Sequence, residues 1–152
     1  MLVAKSVKAE EVEQVVRRYL QKKDYSLSEP KEYGQTGADI TATRGQSTLF
    51  IEVIGFQDKP PTRSREFYEC FFRVLSRERN NRSDTLVMAL PYRFKNGMRQ
   101  RRQQYAVAWE KLGKAFPNLK IWYVKTHAPE CEVEECSWAE PFHLTPIIAG
   151  SP

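Results

Sequence analysis

Residues 38–54 read ADITATRGQSTLFIEVI. Ile40 and Ala42 alternate with Asp39, Thr41 and Thr43, while Leu49, Ile51 and Val53 alternate with Thr48, Phe50 and Glu52. Period-two alternation among β-formers predicts strands over 38–43 and 48–54. Gly45-Gln46 between them suits a two-residue hairpin loop of type II′, which takes glycine at its first central position. With that loop, paired residue numbers sum to 91. Ile40 then faces Ile51 and Ala42 faces Leu49, two apolar pairs on one face, so the register is self-consistent. The same register sets Asp39 opposite Glu52 on adjacent strands, with Cβ atoms about 4.5–5.5 Å apart.

Like charges directly opposite destabilise a sheet. A hard divalent cation between the carboxylates reverses that sign. Exposure to water and a nearby arginine relieves it in a different way. Carboxylates on solvent-facing strand positions are also common without any function.

Outward from the hairpin, residues 7–23 form an amphipathic helix with Val12, Val15, Val16, Tyr19 and Leu20 on one stripe and Ser6 as N-cap. A polar loop over 56–63 carries Pro60-Pro61. A second helix is expected over 64–79, with Phe67, Cys70, Phe71, Val74 and Leu75 inward. The continuous apolar run from Asp84 to Leu90 suits a strand buried on both faces, stopped by Pro91. A third helix is expected over 98–116, striped by Tyr105, Ala108, Trp109, Leu112 and Phe116, and a further strand over Ile121–Val124. Strand–helix–strand order implies a right-handed crossover and a parallel pair. The expected class is α/β, a central mixed sheet flanked by helices, over residues 1–128. Residues 129–152 are expected to form an acidic, irregular tail packed on or near that domain.

Gly37-Ala38-Asp39-Ile40, followed thirteen residues after Asp39 by Phe50-Ile51-Glu52-Val53, resembles the core motif of the PD-(D/E)XK nuclease superfamily. The resemblance covers roughly residues 7–124. It implies a restriction-endonuclease-like αβββαβ core and a Mg²⁺-dependent nuclease (Mn²⁺ as the alternative ion) acting on DNA phosphodiesters. It implies Asp39 and Glu52 as metal ligands and a supporting glutamate on the first helix, Glu13 by best match and Glu10 as second choice. It also implies that Glu66 or Glu69 on the second helix can face the site. The family lysine falls at position 54, where this chain has Ile54. An ammonium there would orient or deprotonate the attacking water and offset developing charge, and isoleucine does neither. Lys59 or Gln57 in the following loop is the candidate replacement. Ile54 is expected at the edge of the carboxylate site, with metal binding retained and cleavage weak or absent. The rival readings are a catalytically inactive nucleic-acid-binding module and a protein-interaction domain.

Charge points to a polyanion. The 152 residues carry 24 Lys and Arg against 19 Asp and Glu, a net +5. No Lys or Arg follows Thr126, whereas Glu130, Glu132, Glu134, Glu135 and Glu140 do. The first 126 residues therefore hold 24 basic and 14 acidic side chains, a net +10. A basic body suits nucleic acid, here DNA. Arg63, Arg65, Arg73, Arg77, Arg79 and Arg82 crowd the second helix and its ends, and Arg93, Lys95, Arg99, Arg101 and Arg102 crowd the start of the third. Arginine suits bidentate phosphate contact, and Tyr68 and Tyr92 interleave as stacking surfaces. The bland alternative is a solvated helix face paired with Glu66, Glu69 and Glu78. The acidic tail is expected near the basic helices, competing with DNA for their charge.

Three cysteines and no secretory apolar segment suit a reducing, cytoplasmic setting. No stretch approaches the ~20 apolar residues that span a membrane. His127, Cys131, Cys136 and His143 are a conceivable zinc set, but their spacing matches no recognised finger, so packed or free cysteines are the default. Oligomeric state stays open.

Overall fold

The computed structural model describes residues 6–142. In chain order its elements are α1 (Ala9–Lys22), β1 (Ser26–Leu27), β2 (Ile40–Arg44), β3 (Ser47–Val53), α2 (Pro60–Leu75), β4 (Asp84–Pro91), α3 (Phe94–Gln104), α4 (Ala106–Ala115), β5 (Leu119–Lys125) and β6 (Glu132–Ser137). One mixed sheet holds all six strands in the order β1-β2-β3-β4-β5-β6. The pairs β3–β4 and β4–β5 are parallel, and the other three are antiparallel.

The hairpin keeps the register set by its two-residue loop: Ile40 pairs with Ile51, Ala42 with Leu49 and Arg44 with Ser47. Gly45 has φ +61, while Gln46 is not among the positive-φ residues. One left-handed residue followed by an ordinary one is the type II′ pattern.

Both crossovers, β3–α2–β4 and β4–α3–α4–β5, advance the same way along the sheet. Right-handed connections therefore put α2, α3 and α4 on one face. Side-chain contacts agree, since Phe71 of α2 and Trp109 of α4 both stack on Trp138. The opposite face belongs to α1, whose Val12, Val15, Val16 and Leu20 are buried and whose Tyr19 meets Trp122 of β5 edge to face. Every residue of β4 from Leu86 to Pro91 is buried, as a strand covered on both sides requires.

Several sequence expectations change. The second helix runs Pro60–Leu75 rather than 64–79, because prolines are tolerated in the first turn, where a missing N–H costs no intrahelical bond. The third helix starts at Phe94 rather than residue 98, and Lys8 rather than Ser6 is the N-cap of α1. Helix α1 starts at Ala9 rather than residue 7, because Val7 is committed to a bridge with Phe56 through Val7 N–H to Phe56 O (3.1 Å) and the reverse bond (2.8 Å). Gly55 permits that approach, since a Cβ there would stand 2.2 Å from the Val7 carbonyl oxygen. The expected helix over 98–116 is two helices, parted at Tyr105 (φ −114, ψ 38); no Gly or Pro adjoins the break, so periodicity does not mark it. The two-residue β1 was not anticipated. The chain after residue 129 is not wholly irregular: β6 extends the sheet, with Cys136 opposite Ile121 and Val133 opposite Val124.

Candidate functional site

Glu52 and Asp39 meet where β2 and β3 end together. Glu52 is fully buried. Its Oε1 accepts from Arg73 Nε at 3.2 Å and its Oε2 from Arg77 Nε at 3.0 Å. Arg73 comes from the last turn of α2 and Arg77 from the turn just after its end, four residues on, so both lie on the side that Cys70 turns inward. Arg77 also donates through Nη2 to the Gly37 carbonyl at 3.0 Å, tying the turn after α2 to the chain just before Asp39. Burial, and then the charge of Asp39, push the Glu52 carboxyl above its ordinary value, against the hydrogen bonds from Arg77 and Arg73 that pull it down. The neighbouring Cys70 thiol is fully buried and pushed far up by that burial.

Asp39 lies one residue before β2. Its Oδ2 accepts the Val53 backbone N–H at 2.8 Å, so the carboxylate closes the open end of the hairpin. Lys31 Nζ sits 3.2 Å from Oδ1 and donates to the Gly37 carbonyl at 2.8 Å.

A hard divalent ion needs open carboxylate oxygens. Both oxygens of Glu52 already serve guanidinium groups, one oxygen of Asp39 serves a backbone amide, and the other faces an ammonium. In this arrangement the donor set does not fit Mg²⁺ or Mn²⁺. Among the described residues no group of three or more His, Cys, Asp or Glu side chains is placed to hold a metal ion.

The remaining sequence candidates divide. Glu13 lines a groove of about 530 Å³ together with Asp39, but its Oε2 accepts from Arg17 Nε at 2.8 Å. Arg17 in turn reaches the Ser28 carbonyl at 2.7 Å and the Asp39 carbonyl at 3.5 Å. Glu10 lines both this groove and a second of about 430 Å³, shared with Ile54, Glu66, Glu69 and Arg73. Ile54 is only 5 % exposed and packs into the hydrophobic core while forming part of that wall. Lys59 is exposed at the N-terminal end of α2, and among the described residues no ion pair joins it to Asp39 or Glu52. The Gln57 amide goes to Glu66 at 3.1 Å.

The arginines expected to meet phosphate divide as well. Arg73 and Arg77 are the partners of Glu52. Arg63 stacks on Phe56 (4.1 Å to the ring centroid) and donates to the Gln57 carbonyl at 3.0 Å. Arg65 is exposed. Arg99 lies over Phe142 and Arg101 over Phe67, while Arg102 reaches the Ala139 carbonyl at 3.5 Å. The acidic strand β6 meets the body through Lys95–Glu134 (2.9 Å) and Lys125–Glu132 (3.1 Å). Cys136 is buried, Cys131 is exposed, and His143 lies outside the described residues.

The chain matches no protein-family model, no curated protein and no solved structure.

Sequence reasoning missed Lys31, and it assigned Arg73 and Arg77 to phosphate. Their i,i+4 spacing beside the inward-facing Cys70 was the available signal. A buried acid on the facing strand needs two donors one turn apart, and that spacing supplies them.

Proposed function

We propose that this protein is a nucleic-acid-binding module built on a restriction-endonuclease-like frame, with its carboxylate pair converted into an internal ion-pair lock. One observation carries this reading: Glu52 is fully buried with each oxygen held by an arginine. The order α1-β1-β2-β3-α2-β4 supports the αβββαβ frame that the sequence motif implies. Ile54, in the core at the lysine position, supports absent or weak cleavage. The net +10 before Thr126 supports a polyanionic partner.

The test is DNA binding followed by fluorescence anisotropy across a salt series, beside a cleavage assay with Mg²⁺ or Mn²⁺. The expected result is binding whose logarithm falls steeply with log salt, with no metal-dependent cleavage. Binding absent at low salt would overturn the reading and favour a protein-interaction domain. Metal-dependent cleavage lost in Asp39→Ala would overturn it in favour of a nuclease.

The nuclease is the second reading, and one observation favours it. Asp39 lies close enough to Glu52 to raise its carboxyl pKa, so the two acids keep the juxtaposition that the family motif implies, and the partly exposed Arg73 side chain (41 %) is within reach of a competing phosphate.

A further inference from the structure

Between α2 and the α3–α4 pair runs an open groove of about 300 Å³. Phe67, Tyr68 and Phe71 of α2 line it together with Tyr105, Trp109 and Trp138. Tyr68 and Tyr105 are each 46 % exposed, and Phe72, one turn after Tyr68 on α2, is 73 % exposed. Scattered apolar side chains at a surface are ordinary, whereas a contiguous aromatic groove marks an interaction site. Arg101 also lines it, its guanidinium 4.6 Å from the Phe67 ring centroid and 5.9 Å from that of Tyr68. Among the described residues no acidic side chain lines the groove, and no Asp or Glu occurs between Asp84 and Glu110, a span that includes all of α3. The carboxylate lock lies elsewhere: Glu69 and Arg73 of α2 line a separate groove.

Aromatic faces beside an acid-free basic helix narrow the choice of occupant. A second copy docking isologously would bring two such helices together, and like charges across an interface oppose binding. An apolar partner helix would use the rings but not the arginines. Single-stranded nucleic acid uses both, since bases stack on aromatic side chains while phosphates meet basic ones. Resting on the nucleic-acid reading above, we propose that this groove binds unpaired bases, stacking them on Tyr68 and Tyr105 while Arg101 holds the phosphates.

The test uses the full chain with a fluorescein-labelled oligothymidylate of about 15 nucleotides, within the site sizes of stacking platforms, and a blunt duplex of equal length. The single strand should bind more tightly than the duplex. Tyr68→Ala/Tyr105→Ala should weaken single-strand binding by about tenfold or more, with the far-UV circular dichroism unchanged. Tyr68→Phe/Tyr105→Phe keeps the ring faces and should bind like the natural protein. A bromodeoxyuridine-substituted strand should photocross-link to Tyr68 or Tyr105. If both DNA forms bind equally and the alanine pair is silent, the groove assignment is overturned while nucleic-acid binding stands. If neither form binds at low salt, both fail together. Equal loss of binding in the phenylalanine pair overturns stacking, and self-association abolished by the alanine pair makes a second copy the occupant.

Discussion

Trp109 and Trp138 exchange hydrogen bonds across a stacked pair: each indole N–H donates to the other's backbone carbonyl, at 2.6 and 2.9 Å, with ring centroids 3.8 Å apart and planes 7° from parallel. Both are 4 % exposed. The contact fastens the segment after β6 to α4, and buried indole donors need just such acceptors.

Removing one ring should therefore be costly. Trp138→Ala is expected to lower unfolding stability by about 3–5 kcal/mol, the range for large-to-small aromatic changes in a core. Trp138→Phe keeps most of the packing and loses only the indole N–H bond to the Trp109 carbonyl, for a smaller loss of about 0.5–1.5 kcal/mol. Urea denaturation monitored by circular dichroism reads both. A Phe variant no more stable than the Ala variant would contradict this division.

Glu52 makes stability depend on pH with a defined sign. Its carboxyl is raised in the folded state, so the folded protein holds that proton at pH values where the unfolded chain has released it. Protonation then favours folding, and Glu52's contribution should decline as pH rises from about 4.5 toward its raised folded value. Unfolding free energies measured across that window should show a falling component that Glu52→Gln removes. An identical pH slope in both proteins would refute it.

Breaking the lock from the arginine side has a different outcome. Arg77→Ala leaves a buried carboxylate with one guanidinium, and losing one partner of a buried pair costs about 3–5 kcal/mol. Arg77 keeps a 25 % exposed side chain, so water offsets part of that and the low end is expected. Arg65→Ala, at an exposed position, should stay within about 0.5 kcal/mol. Chemical denaturation of the two variants side by side makes the comparison, and equal effects would show that the pair is not a lock.

Asp39 acts as an acceptor for the β3 backbone, so Asp39→Asn should be tolerated better than Asp39→Ala. Alanine leaves the Val53 N–H without its acceptor, at about 1–3 kcal/mol, whereas an amide oxygen retains one. Amide hydrogen exchange at Val53 offers a local reading: faster exchange in the Ala variant, near-normal protection in the Asn variant.

Ile54→Lys should not create a nuclease by itself. The side chain is held in the core, so an ammonium there carries a desolvation cost of several kcal/mol, while both Glu52 oxygens stay occupied. The expected variant is less stable and inactive with Mg²⁺. Metal-dependent cleavage by that variant would mean the arginines yield more readily than their geometry indicates.

The hairpin was legible because two independent signals, the alternation and a Gly-Gln loop, agree on one register. The class was legible too, since the run from Leu86 to Leu90 has one reading at that length. The last strand was not. Glu132, Glu134 and Glu135 look like a solvated tail until Lys125, Lys95 and the Tyr19 hydroxyl appear across from them, and Lys95 and Tyr19 are remote in sequence. The carboxylate pair was legible as a pair; what neutralises it was not. An arginine near a helix end reads as surface charge unless the facing strand is known. Deleting the acidic segment is consequently a poor probe of its charge, because β6 would leave with it.

Helix α1 covers its face of the sheet, and its Tyr19 hydroxyl hydrogen-bonds Glu135 of β6, 116 residues away. Helix α1 and strand β6, the first and last of the described elements, thus finish one layer together. On a ribosome, the valines and Leu20 of α1 can find β3, β4 and β5 early, but the layer stays ajar until β6 has cleared the exit tunnel. Closure between distant segments is slow relative to local contacts, and a nascent chain stalled before residue 132 would present an unpaired β5 edge, the kind of surface that chaperones hold.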